Sequence, residues 1–325
     1  MDVAIWSVNY SLFKMPAIIQ VTGLTKHFKE TKAVDTLSFS VNEGDIYGFL
    51  GQNGAGKSTT IRMLLTLIRP TSGHISMLGM DLQTHRKQIL QQVGAIIERP
   101  DLYKYLSAYE NISLFASMSG MKIPKKRLME QLELVELADR AHSKVKTFSQ
   151  GMKQRLGIAI ALVHDPKLII LDEPTNGLDP QGIADIRNLI LDLSKNHKKT
   201  IMVSSHLLSE IEIIANRMLI IDRGKKIMEG NVQDLFDDSK MIIELQTTDT
   251  ATTLEMIMKS KWKTLLRRQQ HGKLIFEMNK TSIPEFNKEL VQNGVQVLQI
   301  QQRHSLEDYF LSLTSPEQYV ETFEN

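Results

Sequence analysis

Cysteine is absent from the 325 residues. That excludes a disulfide framework, a thiolate metal site and thiol catalysis, and it is compatible with a reducing compartment. Charge of either sign is not in excess. The 39 Lys and Arg against 37 Asp and Glu leave +2, so bulk charge gives no reason to expect nucleic acid or an anionic surface as partner. No window approaches the ~18 apolar residues that a membrane-spanning helix needs, so a link to a membrane must run through another chain. Internal repeats, low-complexity tracts and sustained heptads are missing as well. What is present is ordinary for a globular chain: 42% hydrophobic and 23% charged residues, enough for a sizeable core. At ~150 residues per domain the length suggests roughly two domains.

The opening MDVAIWSVNYSLFK has an apolar stretch. Asp2 stands where a signal peptide carries positive charge, and no small-residue cleavage site follows. Residues 1–15 are therefore expected to be a tail or a misassigned start. From Ile18 the pattern organises. IIQVTGL and VDTLSFSV alternate like half-exposed strands, and IYGFL, VGAII, LIIL, TIMVSS and MLIID are short apolar runs of buried-strand type. Helical patterns lie between them, over Ser58–Leu67, Tyr109–Met118, Lys125–Leu137, Ser149–Val163 and Gly182–Ser194. Strands alternating with helices predict a mainly parallel α/β sheet. The stretch over about 99–165 lacks a clear buried strand and is expected to be an inserted helical subdomain. After a boundary near Asn231 to Lys240 the order becomes β-α-β-β-α-β, which predicts a small α+β ferredoxin-like module over 240–325. A last helix is expected over Ser305–Thr314, with Ser305 as its N-cap.

The run Gly51-Gln52-Asn53-Gly54-Ala55-Gly56-Lys57-Ser58-Thr59 satisfies G-x-x-x-x-G-K-[ST]. It follows the strand IYGFL and precedes a helix, as a phosphate cradle must. Glycines let successive N–H groups point into one concavity, and the helix start adds about half a positive charge. Lys57 supplies a full charge to the β- and γ-phosphates. Ser58 offers a hydroxyl to Mg²⁺, and Thr59 offers one to a phosphate. A random chain of this length contains the pattern about once in a hundred.

A second constellation begins where KLIILDEPT ends a buried strand in two acids. The C-terminal ends of sheet strands are where open α/β sheets bind ligands. Successive strand residues point in opposite directions, so Asp172 and Glu173 suit separate tasks: Mg²⁺ binding for Asp172 and orienting or deprotonating water for Glu173. Alone, such a pair is more often a solvated strand end. His206 ends the next strand, TIMVSS. A lone histidine there is usually a surface residue, but this one should reach the same cleft, where a neutral imidazole could bond both Glu173 and the γ-phosphate. FSQGMKQR offers Ser149 as N-cap of another helix and Gly151 for close approach of a phosphate.

Together these residues resemble the ATP-binding cassette family, over about Ile18 to Phe236. The resemblance implies a P-loop NTPase cassette over 16–236, with a RecA-like α/β core, an antiparallel β subdomain and the inserted helical subdomain. GQNGAGKST is similar to Walker A and LIILDE to Walker B. FSQGM stands in the signature position, with Gln150 in place of a glycine and Met152 in place of the usual Gln. Gly177 to Asp179 resembles the D-loop, His206 the switch histidine and Phe28 the aromatic that stacks adenine. Glu98 stands where the family has Gln. GAIIERPDLYKYLSAYENI and the terminal SLEDYF look like the bacitracin-resistance and lantibiotic self-protection exporter ATPases.

That family implies ATP and Mg²⁺ as ligands, with Ser58, Asp172 and Glu98 toward the metal. It implies a second copy of the chain, whose Ser149, Gln150, Gly151, Met152 and Asp179 complete the nucleotide site. It implies a separate permease, docked on the helical subdomain near Glu98, Tyr103 and Tyr105, and a place on the cytoplasmic face of the membrane. Beside Mg²⁺, Glu98 should stay ionised, since attraction of unit charges at 4 Å is ~4 kcal/mol at an effective dielectric of 20. A basic stretch from Lys259 to Lys273 could touch lipid or a partner, although such runs are more often solvated faces. The alternatives are a soluble ABC ATPase uncoupled from transport, or a nucleotide-dependent regulator. The single cassette and the retained Lys57 and Glu173 speak against both.

Overall fold

The computed structural model describes residues 17–120, 122–235, 241–270 and 272–303. The expected N-terminal tail and the expected Ser305–Thr314 helix lie outside these. The chain divides into two compact units, the first ending at Gly230 and the second starting at Asn231.

The first unit runs β1 (Ala17–Phe28), β2 (Thr31–Asn42), β3 (Ile46–Leu50), α1 (Lys57–Leu64), β4 (Ser72–Met77), β5 (Met80–Asp81), α2 (Arg86–Leu90) and β6 (Val93–Ile96). It continues with α3 (Ala108–Met118), α4 (Lys125–Leu134), α5 (Gln150–Leu162), β7 (Leu168–Asp172), α6 (Pro180–Lys195), β8 (Thr200–Ser205), α7 (Leu208–Ile214), β9 (Arg217–Asp222) and β10 (Lys225–Asn231). One antiparallel sheet has the order β2-β1-β4-β5. A second has the order β10-β9-β3-β8-β7-β6, with β9, β3, β8, β7 and β6 parallel.

Burial explains the strand sequences. Every residue of β3, β7 and β8 is buried. A parallel strand covered on both faces reads as a continuous apolar run rather than an alternation. Helices lie directly on the sheet: a Cβ added to Gly94 of β6 would meet the Ala161 carbonyl oxygen of α5 at 2.2 Å. Phe39 of β2 joins the two sheets, its ring centroid 6.0 Å from Tyr47 and 5.8 Å from Phe49 of β3.

Between β6 and β7 the described residues form α3, α4 and α5. α3 starts in a capping box: Ser107 Oγ accepts from the Glu110 N–H, and the Glu110 carboxylate accepts from the Ser107 N–H. Asn111, fully buried, binds the preceding loop by accepting from the Tyr103 N–H at 2.8 Å and donating to its carbonyl at 3.0 Å.

The second unit contains α8 (Val232–Leu235), β11 (Met241–Thr247), α9 (Thr250–Met258), β12 (Leu266–Gln270), β13 (Lys273–Met278), α10 (Ile283–Gln292) and β14 (Val297–Arg303). Its sheet, β12-β13-β11-β14, is antiparallel throughout. Phe286 packs at its core, 5.0 Å from Trp262 and 4.8 Å from Phe276 between ring centroids. Half of the basic stretch is ion-paired: Lys261 with Glu285 at 2.6 Å, Arg267 with Glu277 at 2.9 Å and Lys273 with Glu244 at 3.1 Å.

Candidate active site

The P-loop leaves the C-terminal end of β3. The Gly51 N–H donates to the Ser205 carbonyl at 3.3 Å, and the Gly224 N–H donates to the Ala55 carbonyl at 2.9 Å. The loop is thus fixed to β8 and to the β9–β10 turn. Gly56 has φ 107°, and a Cβ there would lie 2.6 Å from the Ala33 carbonyl oxygen, so neither conformation nor space admits a side chain. α1 starts at Lys57 with no side-chain cap and no acid in its first turn. Its amide donors and positive dipole end are left for an anion. The loop lines a cleft of about 550 Å³, whose other wall includes Glu98, Arg99, Asp101, Glu173 and Asn176.

Lys57 is buried, with 5% of its surface exposed. Its Nζ donates to the Gly51 carbonyl at 2.5 Å and to the Gln52 carbonyl at 3.3 Å, and it lies 3.1 Å from Glu173 Oε1. That approach is a charge contact off the donor direction, since Oε1 has no hydrogen-bond partner. On the opposite oxygen, Glu173 Oε2 sits 2.8 Å from His206 Nδ1. A carboxylate only accepts, so Nδ1 carries the proton. A neutral ring has no second N–H. The imidazole therefore cannot donate to both Glu173 and a phosphate while neutral, and the dual role expected of it needs a doubly protonated ring.

Strand alternation does not separate the two acids. Asp172 is the last residue of β7, fully buried. Glu173 leaves the strand in a left-handed conformation, φ 50°. One hydroxyl orients both: Ser204 Oγ donates to Asp172 Oδ1 at 2.5 Å and accepts from the Glu173 N–H at 2.9 Å. Asp172 Oδ2 is buried with no partner. An unsatisfied buried polar oxygen costs on the order of 1–3 kcal/mol, so this atom and Glu173 Oε1 suit a cation or donors supplied with the substrate.

Glu98, φ 57°, lines the same cleft as Glu173 but faces solvent and accepts from Arg62 Nη2 at 2.7 Å. Arg62 follows Ser58 by one helical turn of α1, so the contact ties the Glu98 loop to the P-loop helix. Ser58 and Thr59 line the cleft with it.

The remaining expected ligands lie elsewhere on the surface. Ser149 caps α5, accepting from the Met152 N–H at 3.2 Å, and Gln150 beside it is exposed. A Cβ at Gly151 would sit in ordinary van der Waals contact, 3.9 Å from Gly182 Cα and 4.0 Å from Ser149 Oγ. Asp179 caps α6 through the Gly182 N–H at 3.0 Å. Phe28, at the end of β1, is 46% exposed under Lys26 Nζ at 4.9 Å. None of these lines the cleft of Lys57. Arg62, Asn111 and Ser204 were not expected. A polar Ser204-Ser205 pair ending a buried strand beside His206 was the available signal for Ser204.

A P-loop beside a buried aspartate and a half-buried glutamate at the C-terminal ends of a parallel sheet defines a nucleoside-triphosphate hydrolase. Residues 34–176 match the ABC transporter family model. Over 300 residues the chain is 44% identical to the bacitracin transport ATP-binding protein BcrA of Bacillus licheniformis, covering 92% of this chain and 98% of that one. It is 40% identical over 227 residues to the lantibiotic transport ATP-binding protein SrtF of Streptococcus pyogenes, covering 68% and 96%. The ATP-binding cassette MJ0796, a dimer in a post-hydrolysis state bound to ADP and Pi, superimposes with a TM-score of 0.59 at 25% identity, covering 66% and 98%. The chain belongs to the ATP-binding subunits of ABC transporters and is an ATP hydrolase of that type.

Proposed function

We propose that this chain energises export of a peptide antibiotic of the bacitracin or lantibiotic class through a permease on a separate chain. It would work as an ATP-bridged pair of copies at the cytoplasmic face of the membrane. The cargo class rests on the relatives that carry those names. No helix among the described residues is long and apolar enough to cross a membrane, which fits a subunit that acts through a partner.

The observation that carries the paired mechanism is the separation of the two half-sites. Lys57 and Glu173 line one cleft, with His206 in contact with Glu173, while Ser149 and Gly151 present a capped helix start elsewhere on the surface. Among the described residues, a Cβ at 151 would meet only ordinary van der Waals neighbours. Its missing side chain leaves the helix start open to close approach, which fits a polyphosphate held by a second copy.

Mg²⁺ fits the donors present: the Ser58 hydroxyl, the unpartnered oxygen of Asp172 and the carboxylate of Glu98. Few protein ligands are needed, because this ion keeps waters and shares substrate phosphates. When bound, it neutralises charge on the β- and γ-phosphates. Lys57 exchanges Glu173 and the Gly51 carbonyl for phosphate oxygens. Glu173, freed on Oε1 and held on Oε2 by His206, accepts a proton from the water that attacks the γ-phosphorus. The P–O bond to ADP breaks, phosphate leaves, and the pair of copies loses its bridge.

The test is sedimentation of Glu173→Gln with Mg-ATP, together with bacitracin and lantibiotic susceptibility of cells carrying the chain and its permease. A variant that stays monomeric, or cells no more resistant than those lacking the chain, would refute the respective half of the proposal.

A further inference from the structure

The carboxylate of Glu210 joins the two loops that carry Glu173 and His206. Thr175 Oγ1 donates to Glu210 Oε2 at 2.6 Å, and Ser205 Oγ donates to the same oxygen at 3.2 Å. Thr175 lies two residues after Glu173, and Ser205 immediately precedes His206. Glu210 itself stands in the first turn of α7, where a negative charge is favoured.

Each loop needs such an anchor. Glu173 holds a left-handed backbone conformation, φ 50°, which a non-glycine residue keeps only when its surroundings impose it. Ser204 holds its N–H. Pro174 has no N–H to offer. Thr175 is the next side chain by which the loop can be held, and Glu210 holds it. On the other strand the Ser205 hydroxyl spends its one hydrogen on Glu210 and accepts from the Leu207 N–H at 3.0 Å. The turn that presents His206 therefore closes around a hydroxyl that Glu210 fixes. The contact between His206 and Glu173 spans the ends of two separate strands, and its 2.8 Å length survives only if those ends keep their spacing.

We propose that Glu210 is a positioning residue for ATP hydrolysis, setting the Glu173–His206 contact through Thr175 and Ser205 without touching substrate. This rests on the reading of Glu173 and His206 as the hydrolytic pair. A carboxylate is not required for the task, because an amide oxygen also accepts from two hydroxyls. That separates a positioning role from a charge effect. Dependence on His206 separates it from simple support of the fold.

The experiment measures kcat, KM for ATP and Tm on the purified full chain, for Glu210→Ala, Glu210→Gln, Thr175→Val, His206→Ala and the double variant Glu210→Ala/His206→Ala. Glu210→Ala should lower kcat roughly 10- to 100-fold with KM within about twofold, the scale of a misplaced catalytic group. Glu210→Gln should return kcat to within about threefold of wild type, since both hydroxyls keep their acceptor. In the His206→Ala background, loss of Glu210 should cost less than about threefold more. Wild-type kcat in Glu210→Ala, the same fold-loss in both backgrounds, or a Gln variant no better than Ala would each overturn the proposal. Should Glu210→Ala fail to fold, Thr175→Val carries the test: unchanged kcat there overturns the proposal, and a fall in kcat at constant KM supports it. Glu173→Gln and His206→Ala serve as controls. If both turn over like wild type, the hydrolytic pair itself is misassigned, and the proposal for Glu210 falls with it.

Discussion

Glu173 is held from both sides, with His206 Nδ1 at 2.8 Å from one carboxylate oxygen and Lys57 Nζ at 3.1 Å from the other. In the roles proposed for them, Lys57 as phosphate ligand and Glu173 as general base, the two cannot both be at work until substrate separates them. Replacing Glu173 by Gln removes the base and keeps the shape. Phosphate release should fall ~10²- to 10⁴-fold, the usual worth of general-base catalysis, with ATP affinity retained. Phosphate release at the wild-type rate would remove Glu173 from the chemistry.

Glu98 and Arg62 form an exposed pair, so either can be removed at small cost to the fold, at most about 1 kcal/mol. Glu98→Gln should keep hydrolysis, because an amide still lines the cleft. Glu98→Ala should hydrolyse ATP yet weaken antibiotic resistance in cells that carry the permease. Transport left intact in the Ala variant would contradict the place given to this loop.

Gly56 admits no side chain, on grounds of both conformation and space. Gly56→Ala should raise the dissociation constant for ATP at least ~100-fold, equivalent to about 2.7 kcal/mol, and lower Tm. Fluorescent-nucleotide titration and differential scanning fluorimetry measure the two effects. Unchanged affinity would mean that the cradle lies elsewhere.

Burial holds the His164 imidazole below its ordinary value of 6.5, outweighing the contact with the Val93 carbonyl at 3.2 Å that acts the other way. The folded chain resists a proton that the unfolded chain accepts. Stability from the neutral ring is therefore complete above the ordinary value and is lost as pH falls through the lower, folded one. Between about pH 7.5 and about pH 5.5, Tm of the wild type should fall more steeply than that of His164→Gln. Parallel curves would show that His164 is not the group responsible.

The parallel core was legible because buried strands announce themselves. IYGFL, LIIL and TIMVSS read as strands, and each is one. The P-loop was legible because its glycines, Lys57 and Ser58 need no distant partner to make sense. Short elements were not: β5 spans only Met80–Asp81, and α7 follows Leu207, which makes no side-chain capping bond and so leaves no start signal. Nor was the left-handed turn at Glu173, which depends on a hydroxyl 31 positions away in the chain. Contacts such as Arg62 with Glu98 and Thr175 with Glu210 join residues 36 and 35 positions apart, and no local pattern reports such pairs.

The missing side chain of Gly151 has a genetic consequence. An alanine there would meet only ordinary van der Waals neighbours, so the altered protein should still fold, accumulate and take up nucleotide. On the proposed pairing of two copies across ATP, such chains would enter mixed assemblies in a cell that also makes the normal protein and would spoil the composite sites opposite them. Damage at this position should therefore behave as dominant, and its severity should follow the ratio of altered to normal copies.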